Sequence, residues 1–532
     1  MRTIYYNACV YTGQLPLQQA FGVEDGYFFF SGSNEDAATL AADTRVDLDG
    51  AFVCPGFIDS HMHLLNYGQC LSITPLAKHT QSLTDMLQCL SQSKPGRGGW
   101  IIGRGWNQDY FQDVSRMPNR WDLDQVSTEH PVCAVRACGH ALAVNSKALE
   151  LLNITADTPQ MDGGEIVMEN GQPNGLFFDN AMDLVYAAIP APDKKSVKDM
   201  IRASCAALNA YGIVGSQSDD YCVFADLPWQ VVNEAYRELE EAGELTVRVY
   251  EQANFTDVAQ LTAFCEAGNL TGTGSSLFKI GPLKLLGDGA LGARTAFLTK
   301  PYADDPTTRG LSVFTPEAFD DLIGYAHAHG MQVAVHCIGD ACLDLVLSSM
   351  EKALAQHPRA DHRHGIVHCQ ITRPDQLKRI AKNNLHIYAQ SIFLDYDIHI
   401  VTQRVGEALA SSSYSWKRAR NLGATVSNGS DCPVELPDVM AGIQCAVTRR
   451  DLKGCAPYLE NEAFTVQEAL DSFTKNAAYA SFEESVKGQI LPGMLADFVV
   501  LGQNPFDCEE NRLKDIPIQA TYLSGHQVFP RK

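Results

Sequence analysis

Gln332-Val333-Ala334-Val335-His336 is an apolar, β-branched run that ends in histidine, and Pro316 to Gly330 before it carries a helical pattern. A helix leading into a fully apolar strand is the repeating unit of a parallel sheet with helices outside. Outward from this stretch the same alternation recurs, with Pro374 to Asn383 as another helix. Eight strands are expected: Phe52–Ser60, Gly212–Ser218, Leu245–Ala253, Phe278–Gly287, Met331–Gly339, Gly365–Gln370, His386–Phe393 and Ala424–Ser430. Eight parallel strands close a TIM barrel, so the fold class is α/β, a (β/α)8 barrel.

The interval between the first two strands is too long for one helix. Residues 76–204 are therefore expected as a large insertion after barrel strand one, a substrate-cap subdomain, with the barrel made from 55–75 and 205–485. The ends of the chain read differently. Thr3 to Tyr11, Gly26 to Ser31 and Arg45 to Leu48 are short strands; Ala496 to Leu501 follows the turn Gly488 to Gly493, and Thr521 to Phe529 reads as a hairpin. These predict a small β-sandwich domain built from both termini, residues 1–54 and 486–532.

Composition limits the function classes. The 41 basic residues stand against 63 acidic ones, a net charge of −22 that disfavours a nucleic-acid partner. No run of about 18 apolar residues suggests a membrane span. The opening Met1-Arg2-Thr3-Ile4-Tyr5-Tyr6-Asn7 lacks the apolar core of a signal peptide. The 16 cysteines are scattered without a Cys-x-x-Cys pair, which fits reduced thiols in a cytoplasmic enzyme, mostly core filler. A small-molecule substrate is expected, and a homo-oligomer is an open option.

In a TIM barrel the strands' C-terminal ends carry the chemistry. The first strand ends in Asp59-Ser60-His61-Met62-His63, and alternation puts His61 and His63 on one face. Two imidazoles at a strand end are good metal ligands, although His-x-His also occurs by chance. His327-x-His329 is such a case, expected at the surface of an outer helix. His336 and His368 end the fifth and sixth strands, and Asp431 follows the eighth. Each alone reads as a strand-end polar residue; together they place four histidines and an aspartate at one end of a barrel. Lys284 lies inside the fourth strand, where a lysine is costly to bury. It is either a rim residue or a neutral buried amine, able to take up carbon dioxide as a carbamate whose oxygens bridge two metals.

The chain resembles the amidohydrolase superfamily, and within it the amidohydrolase-3 family of N-substituted formamide deformylase-like proteins. The resemblance rests on Pro55-Gly56-Phe57-Ile58-Asp59-Ser60-His61-Met62-His63, on Gly139 to Leu149, on Lys284 to Ala296, on His336-Cys337-Ile338-Gly339-Asp340, on Gly429 to Val434 and on Pro492 to Leu501. It implies a metal site of His61, His63, carboxylated Lys284, His336, His368 and Asp431, holding one or two divalent ions, zinc first. One position departs from the pattern: Val367 stands where the family commonly has Glu before the strand-six histidine. It also implies hydrolysis of a non-peptide amide-type C–N bond, with Asp431 moving the proton of an activated water to the leaving nitrogen. His140, Asn145, Arg294, Asp288 and Trp106 are candidates for substrate contact. Capping of a helix near Ser146, an Arg294–Asp288 pair and simple packing of Trp106 are the open alternatives. The rival activities are ester, lactone or phosphotriester hydrolysis on the same scaffold, and a catalytically dead barrel that only binds.

Overall fold

The computed structural model describes every residue except Cys138, Gly139, Asp162, Ala225 and Lys532. Gly139, which opens one of the family-like motifs, therefore lies outside the described residues. Contacts divide the chain into two units. The first contains 1–66, 204–223 and 236–532; the second contains 67–203 and 224–235.

In the first unit an eight-stranded sheet runs in sequence order. Its strands are Phe57–Met62, Ile213–Ser218, Arg248–Asn254, Phe278–Leu286, Val333–Cys337, Gly365–His368, His386–Ala389 and Thr425–Asn428. All seven ladders between them are parallel. The first and eighth strands meet through Ser427 Oγ, which donates to Ser60 Oγ at 2.8 Å, and through Asp431 N–H, which donates to His61 O at 2.9 Å. Gly429 permits that approach, because a Cβ there would stand 2.5 Å from Asp59 Oδ1 and 2.6 Å from His61 N. The sheet is thus a nearly closed barrel of the TIM type.

The expected first strand, Phe52–Ser60, is corrected. It is two strands in two different sheets. Phe52–Pro55 pairs antiparallel with Phe498–Leu501 in a five-stranded sheet, whereas Phe57–Met62 opens the barrel. Gly56 separates them: its N–H donates to Asp497 O at 2.9 Å, and a Cβ would stand 2.3 Å from Val214 Cγ2. A four-stranded sheet from the N-terminal segment includes Ala20–Glu24, a strand not expected from the sequence. Tyr5, Phe21, Phe28 and Val53 share one apolar core with Phe498 and Val500, so both chain ends fold together. Buried Arg248 at the start of the third barrel strand binds Asp497 through both carboxylate oxygens, at 2.7 and 3.0 Å. This bidentate pair fastens the barrel to the terminal sheets.

Helix Pro316–Ala328 shows how the outer layer forms. Thr315 caps it by accepting from Ala318 N–H, Pro316 occupies the first turn, and Phe319, Leu322, Ile323 and Ala326 face inward. His327 lies on that inward face and is buried, which corrects its expected surface position. Its Nδ1 is 2.8 Å from His364 Nε2, and its Nε2 donates to His357 O at 2.6 Å. His329 is exposed.

The second unit carries a six-stranded mixed sheet. Alternate residues of Val132–Arg136 feed two cores: Cys133 and Val135 join one with Trp100 and Phe177, Val132 and Ala134 the other with Met86 and Leu123. Both faces of this sheet are therefore covered. The fifteen described cysteines are all free thiols, eight of them buried. Among the described residues no helix is long and apolar enough to cross a membrane.

Candidate metal centre

Five strand ends of the barrel unit converge on one cluster. His61 Nε2 and His63 Nε2 approach the same oxygen, Asp431 Oδ1, at 3.3 and 3.2 Å. The strand alternation that put both histidines on one face explains the pair, and the hydrogen bond from Asp431 N–H to His61 O brings the carboxylate to them. The donor atoms of these three residues lie within 4.8 Å of one another, as a shared cation requires. The His368 ring lies 5.7 Å from that of His61, and His336 stands 4.4 Å from His368, both edge to face.

Glutamines from other strands orient the rings. His61 Nδ1 is 2.8 Å from Gln252 Oε1 on the third strand, and His368 Nδ1 is 2.7 Å from Gln390 Oε1 beyond the seventh. A glutamine oxygen only accepts, so each Nδ1 carries the proton and each Nε2 keeps a free lone pair. His63 Nδ1 donates likewise to Asp219 O at 3.0 Å. His336 is turned the other way, with Nε2 3.1 Å from Gly289 O and 3.4 Å from Asp288 Oδ1. Val367 is buried against Ala334, Tyr388 and Ala480, so Gln390 rather than the residue before His368 supports that ring.

Lys284 is sealed in the barrel with no solvent exposure, and its Nζ makes no hydrogen bond. Its nearest opposite charge is Asp219 Oδ2 at 3.6 Å, on a side chain equally sealed. An orphaned buried amine beside a ring of imidazoles and a carboxylate is a donor set in want of a ligand. A divalent cation fits it: imidazoles, a carboxylate and a nitrogen able to carry an oxygen ligand are all present.

The electrostatics agree. Burial lowers His61 to about 4 and holds His368 well below the ordinary histidine value, so both rings stay neutral. Burial also opposes charge on His63, but the hydrogen bonds to Asp431 and Cys222 outweigh it and raise that ring. Burial pushes Asp431 up, yet its bonds from His61 and His63 win and keep it well below the usual carboxylate range. Asp59 beneath them is raised by burial to about 7 while it accepts from His61 N–H and Ser430 N–H.

The chain belongs to the amidohydrolase family. The model of that family matches residues 44–529. The enzyme is 32% identical to the amidohydrolase YtcJ of Bacillus subtilis (strain 168), over the whole of both chains. It is 27% identical to the N-substituted formamide deformylase of Arthrobacter pascens, covering 96% of this chain and 95% of that one. A metal-dependent hydrolase from Pyrococcus furiosus superposes with a TM-score of 0.80 at 28% identity, over 95% of this chain and all of the other. The enzyme is accordingly a metal-dependent hydrolase that acts on C–N bonds.

The remaining sequence candidates fall out differently. Asn145 is a structural cap, which corrects its assignment to substrate. Its oxygen accepts from Val132 N–H and Ala148 N–H, its amide donates to Ser127 O and His130 O, and it is fully buried. Trp106 is also corrected: it is buried in the second unit's core and donates to Ala134 O at 2.9 Å. Arg294 pairs with Asp304 at 2.9 Å, not with Asp288. Asp288 accepts backbone N–H groups from Phe297, Ile338 and Gly339 and so braces the loop beside His336. His140 is exposed, with Nδ1 3.0 Å from Asp179 Oδ1. Sequence reasoning missed Gln252, Gln390, Asp219 and Cys222; Asp219, directly after the second strand, was the one with a strand-end signal.

Proposed function

We propose that the enzyme hydrolyses a non-peptide amide-type C–N bond in a small molecule, at one or two divalent ions, zinc first. His61, His63, His336, His368 and Asp431 would hold the metal, with Lys284 contributing as a carbamate. The observation that carries this reading is the sealed, unbonded Lys284 amine among those side chains. The metal, when bound, supplies Lewis acidity that lowers the pKa of a water and polarises a carbonyl.

The protein's own part is orientation and proton movement. Gln252, Gln390 and the Asp219 carbonyl fix three imidazoles with Nε2 facing the cluster. Asp431, held ionised, accepts the proton of the attacking water and returns it to the leaving nitrogen. Similarity to the formamide deformylase supports an N-substituted formamide as the first probe. The net charge of −22 favours a small-molecule partner over nucleic acid, and the scattered free thiols favour a cytoplasmic setting. The two terminal sheets around one core are read as the small β-sandwich domain.

The test is a parallel panel of formamides, other amides, esters, lactones and phosphotriesters, assayed with the purified protein before and after chelation. Turnover of amides that disappears with the metal and returns with zinc is expected. Chelator-insensitive turnover, or turnover of esters alone, overturns the reading.

A further inference from the structure

His399, Asp451 and Cys455 form a second cluster of metal-type donors in the barrel unit. None of them belongs to the strand ends. His399 follows Leu394–Asp397, a short helix after the seventh strand, whereas Asp451 and Cys455 sit in the loop after helix Val439–Thr448. One donor atom from each, an imidazole nitrogen, a carboxylate oxygen and the Cys455 Sγ, comes within 4.8 Å of the others. His399 Nε2 is 3.0 Å from Asp451 Oδ2, and Asp451 N–H donates to Cys455 Sγ at 3.4 Å.

The loop is built to hold that arrangement. Asp451 Oδ1 accepts from the N–H groups of Lys453, Gly454 and Cys455, which leaves Oδ2 for His399 alone. Leu452 N–H donates to Asp395 Oδ1 at 2.6 Å, Lys514 Nζ donates to Leu452 O, and Arg450 donates to Cys455 O. The first of these bonds ties the loop to the segment that carries His399, and the other two brace the loop itself. Asp451 is nearly buried while His399 is half exposed, so the cluster is open to solvent on the His399 side.

We propose that His399, Asp451 and Cys455 bind one zinc ion with a water in the fourth position, separate from the barrel metal. One nitrogen, one oxygen and one sulfur donor select a borderline-soft ion over magnesium or calcium. Binding converts the Cys455 thiol to thiolate and releases one proton to solvent. The His399 proton moves from Nε2 to Nδ1 with no net change, and Nε2 exchanges its bond to Asp451 for one to the ion. The ion staples the 451–455 loop to the segment that begins with Phe393, whose ring stacks on His368 at 5.9 Å.

Cobalt(II) reads the site directly, because a thiolate ligand gives a sulfur-to-cobalt charge-transfer band. The chelator-stripped full-length enzyme is titrated with cobalt chloride. A near-ultraviolet band saturating at one ion per chain is expected, with about one proton released per ion. The band remains in the double variant His61→Asn/His63→Asn, disappears in Cys455→Ser, and needs about tenfold or more cobalt in His399→Asn. Persistence in the double variant separates this site from the barrel reading, whichever way that reading falls. Wild-type protein without the band overturns the proposal. So does a band that survives Cys455→Ser and vanishes in Cys222→Ser, since Cys222 lies beside His63 and Asp219.

Discussion

Lys284 Nζ lies 3.6 Å from Asp219 Oδ2, with both side chains closed to solvent and no hydrogen bond made by the amine. A lone ion pair at that distance leaves most of the amine's hydrogen-bonding capacity unused, which a buried polar group rarely tolerates. A carbamate on Nζ fills that capacity and turns a cation beside the cluster into an anion. Lys284→Ala is therefore expected to lose most of its metal and activity, and added short carboxylic acids to restore part of both. Metal content by plasma mass spectrometry and turnover with and without propionate measure this. Full metal retention in Lys284→Ala, with no response to bicarbonate or propionate, would falsify the carbamate.

Asp431→Asn keeps the shape of the side chain and the bond its backbone N–H donates to His61 O, but cannot accept a proton at neutral pH. Turnover should fall by about 10²–10⁴-fold, the usual worth of general acid–base catalysis. The circular dichroism spectrum and melting temperature should remain close to wild type. Near-normal turnover at saturating zinc rules Asp431 out as the proton carrier.

Gln252 and Gln390 each accept the Nδ1 proton of one histidine, at 2.8 and 2.7 Å. Gln252→Leu and Gln390→Leu leave His61 and His368 free to rotate or change tautomer. Metal affinity should drop by about 10–100-fold in each, as for other partners of metal-bound histidines. Gln390→Glu retains an acceptor and should recover much of the loss. Competition with a fluorescent chelator gives the affinities; unchanged values in both leucine variants refute the assignment.

His327, His362 and His364 form a buried network below the site. His362 Nδ1 accepts from His364 N–H at 2.9 Å, and His364 Nδ1 accepts from Val333 N–H at 3.0 Å. Protonating either nitrogen breaks a backbone hydrogen bond. Burial accordingly lowers His362 to about 4 and His364 well below the ordinary histidine value. The folded state then binds fewer protons than the unfolded one. Stability from this network is complete above about pH 6.5 and is lost as pH falls towards 4. Each pH unit over that window costs about 1.4 kcal/mol per histidine held neutral. Urea midpoints at pH 7.5, 6.0 and 5.0 should decline, and more steeply in wild type than in His362→Phe. Identical pH dependence in the two proteins contradicts the network's role.

The barrel and the placement of its candidate ligands were legible in the chain itself because both depend on local pattern. Apolar runs alternating with amphipathic helices specify a parallel sheet, and a histidine or aspartate after such a run must emerge at the C-terminal end. His61, His63, His336, His368 and Asp431 all meet there, as their places in sequence demand. What neighbours do to a residue is not local. Gln252 and Gln390 support rings 191 and 22 residues away, across strands that only the folded sheet brings together. Asn145 and Trp106 read as site residues until burial showed their polar atoms spent inside the second unit. His327 looked like a surface histidine, yet the helix turns it inward, where His364 meets it. Strand Phe52–Ser60 looked continuous, and the contact of Gly56 with Val214 and Asp497 decided that it is two. Periodicity determines where a side chain emerges along its own element; only tertiary packing determines which partner it finds there and whether water can reach it.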